Sequence, residues 1–92
     1  MSVSAQGTFV IVNTLGLHAR AAAQLVKLSS RFGCDIYLEK DEQEVNGKSI
    51  MGVLMLAATK GSCVNVRTEG DDAREALSAI GQLFQDGFGE DR

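Results

Sequence analysis

The chain has no proline and no tryptophan, and only one histidine and two cysteines among its 92 residues. Aromatic residues make up 5% of it, too few for the stacking platforms that bind single-stranded nucleic acid. The formal net charge of -3 removes the basic surface that phosphate-backbone binding requires, so nucleic acid is excluded as the main partner. Cys34 and Cys63 stand alone, without the spacing of a metal-ligand set, and a single histidine adds none, so no metal is expected. The two thiols are expected to be reduced and at least partly buried. No apolar run approaches the roughly 18 to 20 residues that cross a bilayer. The opening Met1-Ser2-Val3-Ser4-Ala5-Gln6-Gly7 has neither the basic nor the apolar region of a signal peptide. There is no glycine-rich nucleotide loop, no phosphate-loop lysine and no nucleophile–base–acid triad. These absences predict a soluble, cytoplasmic protein with no cofactor and no membrane insertion.

What is present is enough for one small domain. Hydrophobic residues are 45% of the chain, which argues against disorder. Residues 1–92 read as a single domain, ordered over about 5–87 with a frayed tail at Glu90-Asp91-Arg92. Thr8-Phe9-Val10-Ile11-Val12 reads as a strand. From Ala19 the pattern turns helical, with Ala21, Leu25, Leu28 and Phe32 on one face and Gly33 at the expected left-handed end. Asp35–Glu39 alternates, with Ile36 and Leu38 inward, and a weak strand around Gln43–Val45 pairs back on it. A second helix is expected from Ile50 to Thr59, with Ser49 as N-cap and Ile50, Val53, Leu54 and Ala57 inward. Cys63–Thr68 alternates as a further strand. A third helix follows Asp72, which with Glu75 has capping-box spacing, and its inward face is Ala73, Ala76, Leu77, Ile80, Leu83 and Phe84. The order β-α-β-β-α-β-α, with one apolar face per helix, predicts a two-layer α/β sandwich with helices on one side of a sheet.

The lone histidine carries the chemistry. His18 lies in Gly16-Leu17-His18-Ala19-Arg20, immediately before the first helix. A helix start offers unpaired N–H groups and the positive end of the macrodipole. Arg20 adds a planar donor fork for phosphate oxygens. Histidine supplies a nucleophilic ring nitrogen near neutral pH. The pattern points to a site that holds a phosphoryl group, with His18 as acceptor and Arg20 and the backbone N–H of Ala19 as donors to its oxygens.

Two motifs at this spacing, Gly16-Leu17-His18-Ala19-Arg20 and Lys48-Ser49-Ile50-Met51-Gly52-Val53, resemble the signatures of HPr, the histidine-containing phosphocarrier of the bacterial phosphoenolpyruvate-dependent sugar phosphotransferase system. The resemblance covers nearly the whole chain. It implies a four-stranded antiparallel sheet with three helices on one face. It also implies a carrier rather than an enzyme, taking a phosphoryl group on His18 Nδ1 from phosphorylated enzyme I and passing it to the A-domains of enzymes II. Ser49 matches the serine modified by HPr kinase/phosphorylase, whose product binds a catabolite-control transcription factor. The chain departs from the family where Ala21 stands in place of the usual proline after the arginine; alanine keeps the helix but gives up a fixed φ.

Two readings of the surface stay open. Ser49 is a common N-cap type and needs no kinase to explain it. Met51 and Met55 lie one turn apart, either as the edge of the core or as an adaptable apolar patch which, with Leu17, Lys27 and Ile50, rings His18 for protein partners. The expected assembly is a monomer. The alternative to a sugar-branch carrier is a regulatory HPr-like module, or a nitrogen-branch carrier, acting mainly through partner binding.

Overall fold

The computed structural model describes residues 3–90. Seven main elements follow in the order β1 (Ser4–Val10), α1 (Ala19–Ser29), β2 (Asp35–Lys40), β3 (Gln43–Asn46), α2 (Ile50–Met55), β4 (Cys63–Glu69) and α3 (Ala73–Gln85). A 3-10 turn at Gly87–Gly89 closes the described chain. The strands form one sheet in the order β1-β4-β2-β3, every neighbouring pair antiparallel. In β2 and β4 the inward set is Ile36 and Leu38 and then Val64, Val66 and Thr68, all buried, as the alternation predicts. The opposite face is polar: Arg67 stacks over the Tyr37 ring at 4.3 Å and pairs with Glu44 and Glu69 at 3.0 Å each. Ala21, Ala22, Leu25, Val53, Ala76, Ile80 and Phe84 carry the helices onto the buried face.

Several expected boundaries move, each for a local reason. β1 starts at Ser4 and ends at Val10, because the pairing Ser4↔Glu69 to Val10↔Cys63 recruits a polar segment with no strand signal of its own. Ile11 then bonds the Ser62 carbonyl at 2.9 Å and accepts from Gly61 N–H at 2.8 Å. α1 stops at Ser29, capped by a right-handed Ser30, so Gly33 is not its left-handed end. α2 is six residues long and stops at Met55. Leu56 and Ala57 make tight bonds to the carbonyls of Val53 and Leu54, and Ala57 turns left-handed at φ 49°. Ala57 is therefore exposed rather than inward, while Leu56 and Ala58 take the core positions. Ile50, also expected inward, is exposed.

Asp72 does begin α3, but its side chain makes no cap bond. Its two carboxylate oxygens instead accept the N–H groups of Gly33 and Cys34, both at 2.9 Å. Those bonds, led by the one from Gly33, hold the Asp72 carboxyl below its ordinary range. Cys34 is buried and its thiol is pushed up to about 11, chiefly by burial and then by the Asp72 carboxylate. Cys63 is exposed, against expectation, because the outer position of β4 leaves it on the solvent side. Among the described residues no helix is long and apolar enough to cross a membrane.

Candidate functional site

The loop between β1 and α1 is fixed from both sides before it reaches His18. Gly16 has a φ of +67°, and a Cβ there would stand 2.4 Å from the Ala58 carbonyl oxygen, so only glycine fits. The same carbonyl accepts the Leu17 N–H at 2.9 Å. Leu17 drops into the core, only 4% exposed. The buried Asn13 donates from Nδ2 to the Gly16 carbonyl at 2.8 Å, closing the loop on itself. The early end of α2 now has a purpose, since its left-handed exit aims Ala58 at this loop.

His18 is the N-cap of α1, with extended backbone and no side-chain bond to the helix. Its carbonyl accepts from Ala22 N–H at 2.8 Å, so the helix begins correctly. The N–H groups of Ala19, Arg20 and Ala21 have no acceptor among the described residues and stand at the positive end of the helix dipole. The ring turns toward the C-terminus, where its Nε2 lies 2.8 and 2.7 Å from the two carboxylate oxygens of Glu90. Nδ1 makes no hydrogen bond to any described residue. The side chain keeps 29% of its surface exposed, enough for a partner protein to reach it.

Glu90 is brought there by the end of the chain. Gly87, Phe88 and Gly89 are all left-handed, at φ 63°, 56° and 74°. A left-handed conformation costs a non-glycine residue about 1 to 2 kcal/mol. Phe88 is fully buried with its ring 5.1 Å from Phe84, and burying a phenylalanine returns about 1.5 to 3 kcal/mol. The turn folds the tail back across the start of α1. Asn13 Nδ2 donates to Glu90 at 3.0 Å, and the whole carboxylate is mostly enclosed. Its pKa is held below the ordinary glutamate value, first by the His18 hydrogen bond, then by the Asn13 bond and the Arg20 charge, against the opposing effect of burial.

Arg20 is exposed on the first turn of α1 and lines an open depression of about 510 Å³ with Thr14, Leu15, Gly89 and Glu90. The structure thus brings His18, Arg20 and the Ala19 N–H to one place. Two residues expected around His18 are elsewhere. Leu17 belongs to the core because its N–H is pinned to Ala58. Lys27 is in the last turn of α1, about 13 Å further along the helix axis, beside Gln24, Arg31 and Leu83. Ile50, Met51 and Met55 form an exposed apolar strip on α2, with Met51 70% exposed. Ser49 caps α2, its Oγ accepting Gly52 N–H at 3.1 Å. Three participants escaped sequence reasoning: the exposed Leu15 at the rim, the buried Asn13 and Glu90. Glu90 was expected in a frayed tail, because charged residues near a chain end read as solvated, but it is bonded to His18 and Asn13, while Asp91 and Arg92 lie outside the described residues; Gly87 and Gly89 were the available hint.

Comparison with known proteins identifies the family. Residues 5–86 match the family model described as the PTS HPr component phosphorylation site. The phosphocarrier protein HPr of Xylella fastidiosa strain 9a5c is 46% identical over 82 residues, covering 89% of this chain and 92% of that protein. The crystal structure of HPr from Thermoanaerobacter tengcongensis superposes with a TM-score of 0.92 at 43% identity, over 96% of this chain and 99% of the other. Crh of Bacillus subtilis, a catabolite-repression protein whose crystal structure is described as a domain-swapped dimer, superposes with a TM-score of 0.74 at 42% identity, over 80% of this chain and 85% of that one. With its model matched from β1 through α3 and relatives of this similarity along most of its length, this chain belongs to the HPr family, whose members carry a phosphoryl group and are not themselves enzymes.

Proposed function

We propose that this protein is a phosphocarrier of the phosphotransferase system, accepting a phosphoryl group on His18 Nδ1 from phosphorylated enzyme I. It then passes the group to the A-domains of enzymes II in sugar uptake. The observation that carries this reading is the division of labour around one imidazole: Nε2 is engaged by Glu90, while Nδ1 has no partner among the described residues and the ring sits at a helix start with three amides unpaired among those residues and Arg20 nearby. A phosphoramidate on imidazole is labile and suits reversible transfer between proteins. A partly exposed ring serves that exchange better than a deep pocket, since donor and acceptor are both proteins. The Arg20 fork and the N–H of Ala19 receive the phosphoryl oxygens.

The exposed strip of Ile50, Met51 and Met55 supplies an adaptable apolar surface for successive partners, and Lys27 extends the docking face along α1. The protein works in the cytoplasm as a single-domain monomer. Ser49 is the regulatory position, modified by an HPr kinase/phosphorylase and then read by a catabolite-control transcription factor. A phosphate there adds about two negative charges at the start of α2, next to the apolar strip that the partners use.

The test supplies phosphoenolpyruvate and enzyme I and locates the added mass by mass spectrometry. The wild-type protein is expected to take one acid-labile, base-stable phosphate on His18. His18→Ala is expected to keep its fold by circular dichroism and take none. A label of normal extent on His18→Ala overturns the reading.

A further inference from the structure

The reading above uses Glu90 only as the group that engages Nε2, yet it makes the shortest hydrogen bond in the site. We propose that Glu90, held by Asn13, is a positioning residue that fixes His18 as the Nε2–H tautomer and so presents the Nδ1 lone pair to the incoming phosphorus. The proposal rests on the carrier reading and deepens it.

The inference begins with what a carboxylate can do. When ionised it accepts hydrogen bonds and donates none. Both Glu90 oxygens lie within 2.8 Å of His18 Nε2, so that nitrogen carries the proton. In a neutral imidazole the other nitrogen then holds the lone pair. The ionised state is secured by its surroundings, since Asn13 donates to one oxygen and the Arg20 guanidinium lies nearby. Among the described residues, His18 and Arg20 are the titratable and charged groups that face Glu90. Thr14 and Leu15, on the remaining side of the depression, carry no charge.

The carboxylate is also held in place. Asn13 is fully buried and spends its amide on two acceptors, the Gly16 carbonyl and Glu90. One side chain therefore ties the loop before His18 to the tail after α3. The buried Phe88 and the left-handed turn around it hold Glu90 on the other side.

In the transfer step the Nδ1 lone pair forms the N–P bond. The bond from phosphorus to the donor breaks, and its electron pair leaves with the donor. The ring gains positive charge while Nε2 keeps its proton, and the Glu90 carboxylate offsets that charge. When the phosphoryl group moves on, the N–P electron pair returns to Nδ1 and the starting tautomer is restored without any proton movement.

Two variants separate charge from geometry. In Glu90→Gln, the Asn13 donor requires the amide oxygen at its own side. The amide nitrogen then falls at the position of the other oxygen, 2.7 Å from Nε2, where its N–H competes with the amide oxygen that stays 2.8 Å away as an acceptor. The preference for a proton on Nε2 weakens, and the share of rings that present a lone pair at Nδ1 falls. Glu90→Ala simply frees the ring. Neither change touches Phe88, and both proteins are expected to unfold as the wild type does.

The experiment records nitrogen-15 spectra of the neutral His18 ring and the rate of labelling by enzyme I and phosphoenolpyruvate. The wild type is expected to show an unprotonated Nδ1. Glu90→Gln is expected to shift the proton toward Nδ1 and slow labelling roughly ten- to a hundredfold, with Glu90→Ala slowed less. Ring spectra and rates unchanged in both variants overturn the proposal, as does either change without the other in Glu90→Gln. Wild-type protein that takes no label on His18 overturns the carrier reading instead, and the ring spectra then judge the Glu90 assignment separately.

Discussion

Helix α2 begins with a serine whose hydroxyl accepts the N–H of Gly52, the third residue of the helix, at 3.1 Å. Helix α1 begins with a histidine whose ring turns away to Glu90, and the N–H of its own third residue, Ala21, is left without a partner. A side-chain cap is worth about 1 kcal/mol, and α1 goes without one. The unpaired amides keep the positive end of α1 available to an anion, whereas α2 has used part of its own to stay folded over only six residues. Stability is given up at one helix start and retained at the other. That difference separates the residue proposed to carry the phosphoryl group from the residue proposed to regulate it.

The loop that joins the two helix regions is the place to break both at once. Gly16 meets the exit of α2 at the Ala58 carbonyl, where a Cβ would stand 2.4 Å away on a left-handed backbone. Gly16→Ala is expected to cost about 2 to 4 kcal/mol from conformational strain and crowding together. Urea unfolding measures that loss, and labelling of His18 is expected to slow as the loop leaves Ala58. A variant as stable as the wild type would show that α1 and α2 are not coupled through this contact.

Substitutions at the caps themselves sharpen the contrast at the level of about 1 kcal/mol. His18→Ser and His18→Ala both lose the ring and the bond to Glu90, so neither is expected to accept phosphate. They differ in that serine can cap α1, and His18→Ser is expected to be about 1 kcal/mol more stable than His18→Ala. At α2 the same preference appears as a loss from the wild type, because Ser49→Ala removes a cap that exists and is expected to lose about 1 kcal/mol while His18 still takes its label. Equal stabilities for the two His18 variants in thermal unfolding would contradict the view that α1 lacks a cap.

Much of this arrangement was legible in the sequence because it is local. The α1 face of Ala21 and Leu25, the inward Ile36 and Leu38, the Ser49 cap and the position of His18 at a helix start all follow from short spacings. What was missed depends on distant partners. Asp72 has the spacing of a helix cap, but the N–H groups of Gly33 and Cys34, far away in the chain, take its carboxylate. The helical pattern from Ile50 runs on to Thr59, but the chain leaves the helix at Met55 so that Ala58 can meet Leu17. Glu90 lies 72 positions from His18, and only the burial of Phe88 brings it back. The histidine at the start of α1 was therefore readable from the sequence, while the glutamate that bonds its ring was not.

The smallest effect concerns the family's missing proline. Ala21 and Gly52 are each the third residue of their helices. Ala21 N–H has no acceptor among the described residues, so Ala21→Pro removes none of the bonds seen there. Fixing φ is worth about 0.4 to 1 kcal/mol through the unfolded chain. Opposing this, Ala21 is fully buried and the added ring must find room, and a proline disfavours helical geometry at Arg20. The expected net change in unfolding free energy is within about 1 kcal/mol, and labelling of His18 persists. Gly52→Pro puts the same ring where the N–H is in use, and the bond to Ser49 Oγ is lost. It is expected to fall below Ala21→Pro by about 1 kcal/mol or more. If chemical denaturation finds Ala21→Pro the more damaging of the two, the amide of Ala21 is in use after all, and α1 does not leave its first turn open for a phosphoryl group.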